Sequence, residues 1–211
     1  MNKLPKLSPL ELSALLASRV CHDIISPVGA INNGLEVLDE DNGEEMKEFA
    51  MDLIRKSAGS ASAKLKFARL AFGASGSSGA MIDTGDAEEV ARAYVAGEKP
   101  ELEWSGTRVL MPKNKVKLLL NLILVSLGAI PRGGVIKVAI EGGEDDTRFT
   151  LTCSGRNARA PSAFLGMLNG EIEGELDAHA VQPYHTIVLA EACDMTLGAR
   201  LEGEDVVLTA Q

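Results

Sequence analysis

Apolar residues recur at intervals of three and four over the N-terminal third of the chain, and this spacing is typical of amphipathic helices. Two such stripes follow one another: Leu12, Leu16, Val20, Ile24, Pro27, Val28, Ile31, Leu35 and Leu38, and then Met46, Phe49, Leu53, Ile54, Ala61, Leu65, Ala68 and Phe72. They predict helices over 9–38 and 44–72, separated only by the polar turn 39–43. Because a short loop joins neighbouring helices, the sequence predicts an antiparallel helical hairpin.

The first helix carries a strong start signal and one internal proline. Ser8, Pro9 and Glu11 make a capping box with proline in the first helical position. Pro27 lies inside the helix, where it removes one backbone hydrogen bond and crowds the Asp23 carbonyl. We therefore expect the first helix to bend at this point.

The apolar stripes of the hairpin are too wide for the two helices to cover each other's stripe completely. A second copy of the hairpin would bury both stripes in a four-helix bundle. We therefore predict a homodimer. The alternative is that the C-terminal part of the same chain covers the hairpin.

His22 lies on a helix face that carries only small or polar side chains. Its neighbours at helical spacing are Ser18, Ser26, Gly29 and Asn33. His22 is therefore expected to point outward, onto a surface that another protein could approach closely. A lone surface histidine often has no role, but the adjacent Asp23, the open face and Pro27 together favour a functional one.

Charge and cysteine content narrow the class of protein. The net charge is −9, and such a chain lacks the positive surface that nucleic acids and anionic membranes attract, so neither is expected as a partner. No apolar run reaches about 18 residues without a charge or a helix breaker, which predicts no membrane span. Cys21, Cys153 and Cys193 are odd in number and far apart, as expected for reduced thiols of a cytoplasmic protein.

The remaining sequence predicts a second domain of mixed structure. We place the hairpin domain at 1–74, a Gly- and Ser-rich linker at 75–80 and the second domain at 81–211. Its predicted helices are 86–96, capped by Asp86, 112–130, 161–168 and 182–193, and its predicted strands are 102–109, 135–141, 148–153, 200–202 and 206–209. This order predicts an α/β sandwich with helices on one face of a sheet, so the whole chain belongs to the α+β class.

Two segments resemble sensor histidine kinases. His22-Asp23-Ile24-Ile25-Ser26-Pro27-Val28 resembles the H-box, in which a phosphorylated histidine and an acidic neighbour lie on the first helix of a dimeric hairpin. Residues 119–134 resemble the helix and following turn that carry the N-box of the Bergerat ATP-binding fold. The resemblance implies that the second domain has this fold.

At three motifs of that nucleotide site, the residues that would bind ATP or Mg²⁺ are replaced. Asn121 matches the first asparagine of the N-box, but Val125 replaces the one that would hold Mg²⁺. Cys153 replaces the aspartate that would bind adenine, and Asn157 replaces the second glycine of the same motif. Bulky residues at 181–186 replace a phosphate-binding glycine loop. We therefore expect neither ATP nor a metal ion to bind.

A chain that has the H-box histidine but a degenerate ATPase domain resembles histidine phosphotransferases of the ChpT type. This resemblance covers nearly the whole chain. This resemblance implies a cytoplasmic phosphorelay protein of cell-cycle signalling. It further implies one partner that is the receiver domain of a hybrid histidine kinase, and others that are receiver domains of response regulators. The Mg²⁺ of the reaction would then belong to the receiver.

The resemblance also assigns candidate roles near the histidine. His22 would carry the phosphoryl group, and Asp23 would orient its ring or accept its proton, unless Asp23 is only a solvated carboxylate. Arg19 could neutralise phosphate charge or pair with a nearby acid. Ser26 and Ile25 are candidates for partner binding, although Ile25 could equally belong to the core of the bundle.

Other roles and function classes stay open. His179 and His185 have no acidic neighbour and are expected to be structural. The second domain could form the other half of the receiver-docking surface. A non-catalytic dimeric scaffold that binds receivers, or an ATP-dependent histidine kinase, are the alternatives to a phosphotransferase.

Overall fold

The computed structural model describes residues 6–40, 43–73, 79–143, 146–171, 176–178 and 180–211. The helices are α1 (Pro9–Asp39), α2 (Glu44–Ala71), α3 (Thr84–Val95), α4 (Lys113–Ala129), α5 (Ser162–Leu168) and α6 (Val181–Ala192). The strands are β1 (Met81–Asp83), β2 (Pro100–Ser105), β3 (Leu110–Pro112), β4 (Gly134–Glu141), β5 (Arg148–Ser154), β6 (Leu197–Glu202) and β7 (Asp205–Ala210). Two long helices are thus followed by a mixed helix and sheet region.

The predicted start of α1 is confirmed. The Ser8 backbone N–H donates to Glu11 Oε2 at 2.8 Å, and the Glu11 backbone N–H donates to Ser8 Oγ at 3.2 Å, with Pro9 as the first helical residue. This bonding also lowers the pKa of Glu11. Pro27 is buried, and α1 continues through it without a break; the bend expected there stays a prediction.

The hairpin is antiparallel, and its helices approach closely at Gly34. A Cβ atom at this position would lie 2.7 Å from Ile54 Cγ1 and 3.2 Å from the Ala50 carbonyl oxygen. Nearer the other end of the hairpin, Ile24 of α1 and Phe67 of α2 line the same small cavity. Residue numbers therefore rise along one helix as they fall along the other, as predicted from the short turn.

By length and composition alone, helix α1 could cross a membrane. Only 6% of the residues in its most apolar stretch are buried in the structure. One helix of this kind is weak evidence for a membrane span, because helices of soluble proteins pass the same test. The exposed apolar side of α1 equally fits a helix that packs against another protein chain.

The C-terminal part contains a five-stranded sheet in the order β2-β4-β5-β7-β6. Strands β2 and β4 are parallel and the other neighbours are antiparallel. Alternate side chains are buried on the face that α4 contacts: Ile136, Val138, Phe149, Leu151, Cys153, Val206 and Leu208. The opposite face carries the paired positions Glu103, Lys137 and Thr152, which are exposed or half-buried, and Val207, which is buried. The predicted sandwich with helices on one face is thus confirmed.

In this region two predictions are wrong and two strands were not predicted. Asp86 does not cap α3: Asp83 does, and its Oδ1 accepts from the Gly85 backbone N–H at 2.8 Å. Two short strands, β1 and β3, were missed; they pair with each other and hold Asp83 at the end of β1. The predicted strand 102–109 is shorter, because Gly106 has a φ of +142° and its backbone packs closely against Ile140.

The hairpin and the C-terminal part share one buried core. Phe67 and Ala71, in the last turns of α2, belong to the same cluster as Val116 and Leu120 of α4. Most of the proposed linker, residues 75–78, lies outside the described residues. The domain boundaries at 74 and 81 stay a prediction.

Candidate functional site

His22 is exposed on α1, as the sequence predicted. Its side chain is 64% exposed, and both Ser18 and Ser26 on the same face are exposed. A Cβ atom built on Gly29, two turns after His22, would meet no described atom within 4 Å. The imidazole therefore lies on an open helix surface that a second protein can reach.

Asp23 contacts the His22 ring and is itself held by Arg19. His22 Nδ1 lies 3.5 Å from Asp23 Oδ1, at the outer limit of a hydrogen bond. Arg19 Nε lies 3.0 Å from Asp23 Oδ2 and 3.2 Å from Oδ1. In the tautomer that carries its proton on Nδ1, His22 donates to Asp23, and the lone pair of the ring lies on Nε2.

Of the two sequence interpretations of Arg19, the pairing with an acid is observed. The side chains of Arg19 and Asp23 are 21% and 22% exposed, so the pair is partly shielded from water. Arg19 therefore lies beneath the His22 surface, where it balances the charge of Asp23. Ile25, by contrast, is 70% exposed, and Ser26 beside it is also exposed.

A cleft of about 490 Å³ opens next to this pair, between the hairpin and the C-terminal part. Arg19, Asp23 and Lys64 line it from the hairpin side. Tyr94 and Val125 are among the residues that line it from the C-terminal side. Sequence reasoning missed Tyr94, because at its position in an amphipathic helix it resembles an ordinary core residue.

The altered nucleotide motifs are part of the core. Val125 and Cys153 are buried, and burial raises the pKa of the Cys153 thiol to about 11. The Asn121 side-chain amide donates to the Ala71 carbonyl at 3.2 Å and to the Lys117 carbonyl at 2.9 Å, so it joins α4 to the end of α2. Asn157 keeps a left-handed backbone, with φ of +58°.

The segment that would form a phosphate loop is instead part of helix α6. Gln182 Nε2 donates to the Asn121 carbonyl at 2.9 Å, and the Leu7 backbone N–H donates to the Tyr184 hydroxyl at 3.2 Å. His185 is buried, and neither of its ring nitrogens has a hydrogen-bond partner among the described residues. Burial, followed by the charge of Lys117, lowers the pKa of His185 to about 4. His179 lies outside the described residues.

The described residues contain no group of three metal-ligating side chains that could hold an ion. Cys21, Cys153 and Cys193 are all present as free thiols. The expectation that the chain binds no metal ion stays a prediction.

Comparisons with known proteins identify the family. A family model described as the histidine phosphotransferase C-terminal domain matches residues 84–205, more than half of the chain. The protein phosphotransferase ChpT of Brucella abortus (strain 2308) is 56% identical over 206 residues, which make up 97% of each chain. The chain belongs to the histidine phosphotransferase family. The sequence similarity between this phosphotransferase and ChpT covers the hairpin as well as the C-terminal part.

Solved structures support the fold of this phosphotransferase. A bacterial phosphotransferase determined at 1.7 Å is 54% identical, with a TM-score of 0.92 over 99% of this chain and 100% of that one. Full-length ShkA in complex with AMPPNP is 16% identical, with a TM-score of 0.50 over 97% of this chain and 45% of that one. At that identity the likeness to ShkA shows a shared fold alone. The predicted fold class and family are both confirmed.

Proposed function

We propose that this phosphotransferase accepts a phosphoryl group on His22 from a receiver-domain aspartate of a hybrid histidine kinase. It then passes the group to the receivers of response regulators, in the cytoplasm and in the control of the cell cycle. The observation that carries the proposal is the exposed His22 ring on an open helix face, with one nitrogen directed at an acid–base pair.

In the proposed step, the lone pair of His22 Nε2 attacks the phosphorus of the receiver's aspartyl phosphate. A nitrogen–phosphorus bond forms, the bond from phosphorus to the aspartate oxygen breaks, and the receiver carboxylate leaves with the electron pair. The proton on Nδ1 stays directed at Asp23, whose charge stabilises the ring as it becomes positive. Reversal of these steps on a second receiver completes the relay.

The proposed reaction needs no nucleotide on this chain, since the energy is already stored in the aspartyl phosphate. Val125 and Cys153 offer neither the metal ligand nor the adenine acceptor of a kinase. Positioning and electrostatics supply most of the catalysis in phosphoryl transfer. We assign the Mg²⁺ to the receiver.

A second copy of the chain is proposed to cover the exposed apolar side of the hairpin. Val28, Leu35, Met46 and Phe49 are all more than one-third exposed. Burial of such side chains across a two-fold axis would complete a four-helix bundle. Receivers would then dock on the remaining His22 face, where Ile25 and Ser26 are exposed, with the C-terminal part as the other half of the surface.

The test is transfer of radiolabelled phosphate from a phospho-receiver to this protein, with His22→Ala as the control. Labelled ATP alone is a further arm. Label on the wild type from the phospho-receiver, and none on His22→Ala, is the expected result. Label from ATP alone would identify a kinase. Receiver binding without label in any arm would leave a non-catalytic scaffold.

A further inference from the structure

A buried tyrosine from the C-terminal part lies beneath the phosphotransfer site. Tyr94, on α3, is only 7% exposed. Its ring centroid lies 4.4 Å from that of Phe67, and Lys64 Nζ lies 5.9 Å from the ring centroid. Both contacts come from α2, so the hairpin fixes the position of this ring although it belongs to a different part of the chain.

Tyr94 shares a cleft and a small cavity with residues of the acid–base pair that supports His22. Tyr94, Arg19 and Asp23 line the same cleft, and Tyr94 and Asp23 also line the small cavity beneath it. Burial raises the pKa of Tyr94 well above its usual value, as do the charges of Asp23 and Glu98, while a hydrogen bond from Arg19 opposes this shift. Tyr94 therefore keeps its proton and acts as a neutral hydrogen-bonding group.

We propose that Tyr94 is a positioning residue for phosphoryl transfer. Its hydroxyl holds the guanidinium of Arg19, Arg19 holds the carboxylate of Asp23, and Asp23 holds the His22 ring with Nε2 outward. The proposal rests on the proposed function, since it assigns a role in the reaction at His22. It also gives the C-terminal part a second task, which is to order the histidine on the hairpin.

Two lysines also lie close to this cleft, and one of them has an acidic partner of its own. Lys64 Nζ lies 3.4 Å from Glu98 Oε1, so these two side chains form an ion pair across the boundary between the hairpin and the C-terminal part. Lys99 lines the same cleft. Arg19 is therefore the base nearest to Asp23 in the geometry described, and Tyr94 is the neutral group that orients it.

The chain offers a matched control, because it contains exactly two tyrosines. Tyr184 is also buried, at 5% exposure. Its hydroxyl accepts a hydrogen bond from the Leu7 backbone N–H, and not from a charged side chain. The substitutions Tyr94→Phe and Tyr184→Phe each remove one oxygen from a buried ring. Both cost some stability, but only Tyr94→Phe should change the chemistry at His22.

The experiment measures phosphoryl acceptance at varied concentrations of phospho-receiver. We expect Tyr94→Phe to lower the saturated rate by about fivefold, the factor that one net hydrogen bond supports. The receiver concentration at half-saturation should not change, because Tyr94 lies under the docking face. Tyr184→Phe should match the wild type. Equal saturated rates for Tyr94→Phe and the wild type would overturn the proposal.

Two further readouts separate positioning from general destabilisation. Nitrogen NMR shifts of the His22 ring in the folded, unphosphorylated proteins should move toward the Nε2-protonated tautomer in Tyr94→Phe only. In an Asp23→Asn background, Tyr94→Phe should slow transfer no further, since the hydroxyl acts through Asp23. Equal slowing in both backgrounds, or unchanged ring shifts, would contradict the proposal. Absence of label on the wild type would defeat the proposed function, while the ring shifts would still test the positioning.

Discussion

At the scale of single residues, the acid beside His22 is balanced by a base one turn earlier in the same helix. An unpaired carboxylate would attract the imidazole proton and any nearby cation with its full charge. The two contacts from Arg19 Nε spread that charge and fix the direction of the carboxylate. Asp23 can therefore orient the His22 ring without placing a mobile negative charge beside the atom proposed to accept the phosphoryl group.

The histidine on α6 has the opposite environment. His185 is buried, its ring lies 5.8 Å from that of Phe72, and Lys117 is the charged group that acts on it. A cationic ring at this position would have little contact with solvent and no hydrogen-bond acceptor among the described residues to stabilise it. His185 is therefore a neutral core residue, in agreement with its structural assignment from the sequence.

Burial of His185 predicts an acid-sensitive core. The pKa of His185 is about 4 in the folded protein, whereas its ordinary value is 6.5. Below pH 6.5 the unfolded chain therefore binds this proton more readily than the folded protein does. The free energy of unfolding consequently falls as the pH is lowered toward 4. Between pH 7.5 and 5 the wild type should lose about 2 kcal/mol more than His185→Leu does. Urea unfolding at both pH values measures this difference. Equal losses in the two proteins would show that His185 does not titrate in this way.

At the scale of elements, the close approach of α1 and α2 depends on one missing side chain. Gly34 is buried where α1 meets Ala50 and Ile54 of α2. A glycine in a helix interior costs about 1 kcal/mol relative to alanine, so its presence here indicates a packing requirement. The contact fixes how deeply the hairpin helices interlock, and therefore which of their apolar residues stay exposed.

Gly34→Ala is expected to destabilise the protein by about 1–3 kcal/mol, because the new methyl group would push against Ile54 and the Ala50 carbonyl. Gly29→Ala, in the same helix, is the control. Its Cβ would meet no described atom within 4 Å, so it should stabilise by about 0.5–1 kcal/mol. Thermal unfolding of both variants gives the comparison. Stabilisation by both would mean that the helices do not pack tightly at Gly34.

At the scale of the whole molecule, the hairpin packs into a shared core on one side and leaves apolar residues exposed on another. One side of α2 enters the shared core through Phe67 and Ala71. Another side of the hairpin leaves Leu35 and Phe49 exposed. Both alternatives considered from the sequence therefore have support, since the C-terminal part covers one end of the hairpin and an apolar side remains for a second copy.

Phe49→Glu should weaken the proposed dimer roughly 1,000-fold, because a buried phenylalanine contributes about 2 kcal/mol and each dimer contains two, about 4 kcal/mol together. Phe49 is 66% exposed in the single chain. Leu201→Glu is the control: Leu201 is 65% exposed, but it lies on the edge strand β6, away from the hairpin. Light scattering over a range of protein concentrations measures the association. A wild type that is monomeric at all of them would contradict the dimer.

Local patterns made much of the fold predictable. The capping box, the apolar spacing of α1 and α2 and the alternation in β4 and β5 involve residues close in sequence, whose effects do not depend on distant partners. The outward position of His22 was predictable for the same reason. The error at Asp86 arose where β1 pairs with β3, a contact between segments that no local pattern reveals. The error at 102–109 arose because Gly106 packs against Ile140 of β4, which is also distant in sequence.

The sequence by itself determined the hairpin, the exposed histidine with its acidic neighbour and the loss of nucleotide-binding residues, because each depends on residue type and short-range spacing. The tertiary structure alone decided that Arg19 pairs with Asp23 and that Tyr94 lies beside them. It also decided that Asn121 joins α4 to α2. Side-chain direction and long-range packing set these contacts, and they follow from the minimum in free energy of the whole chain.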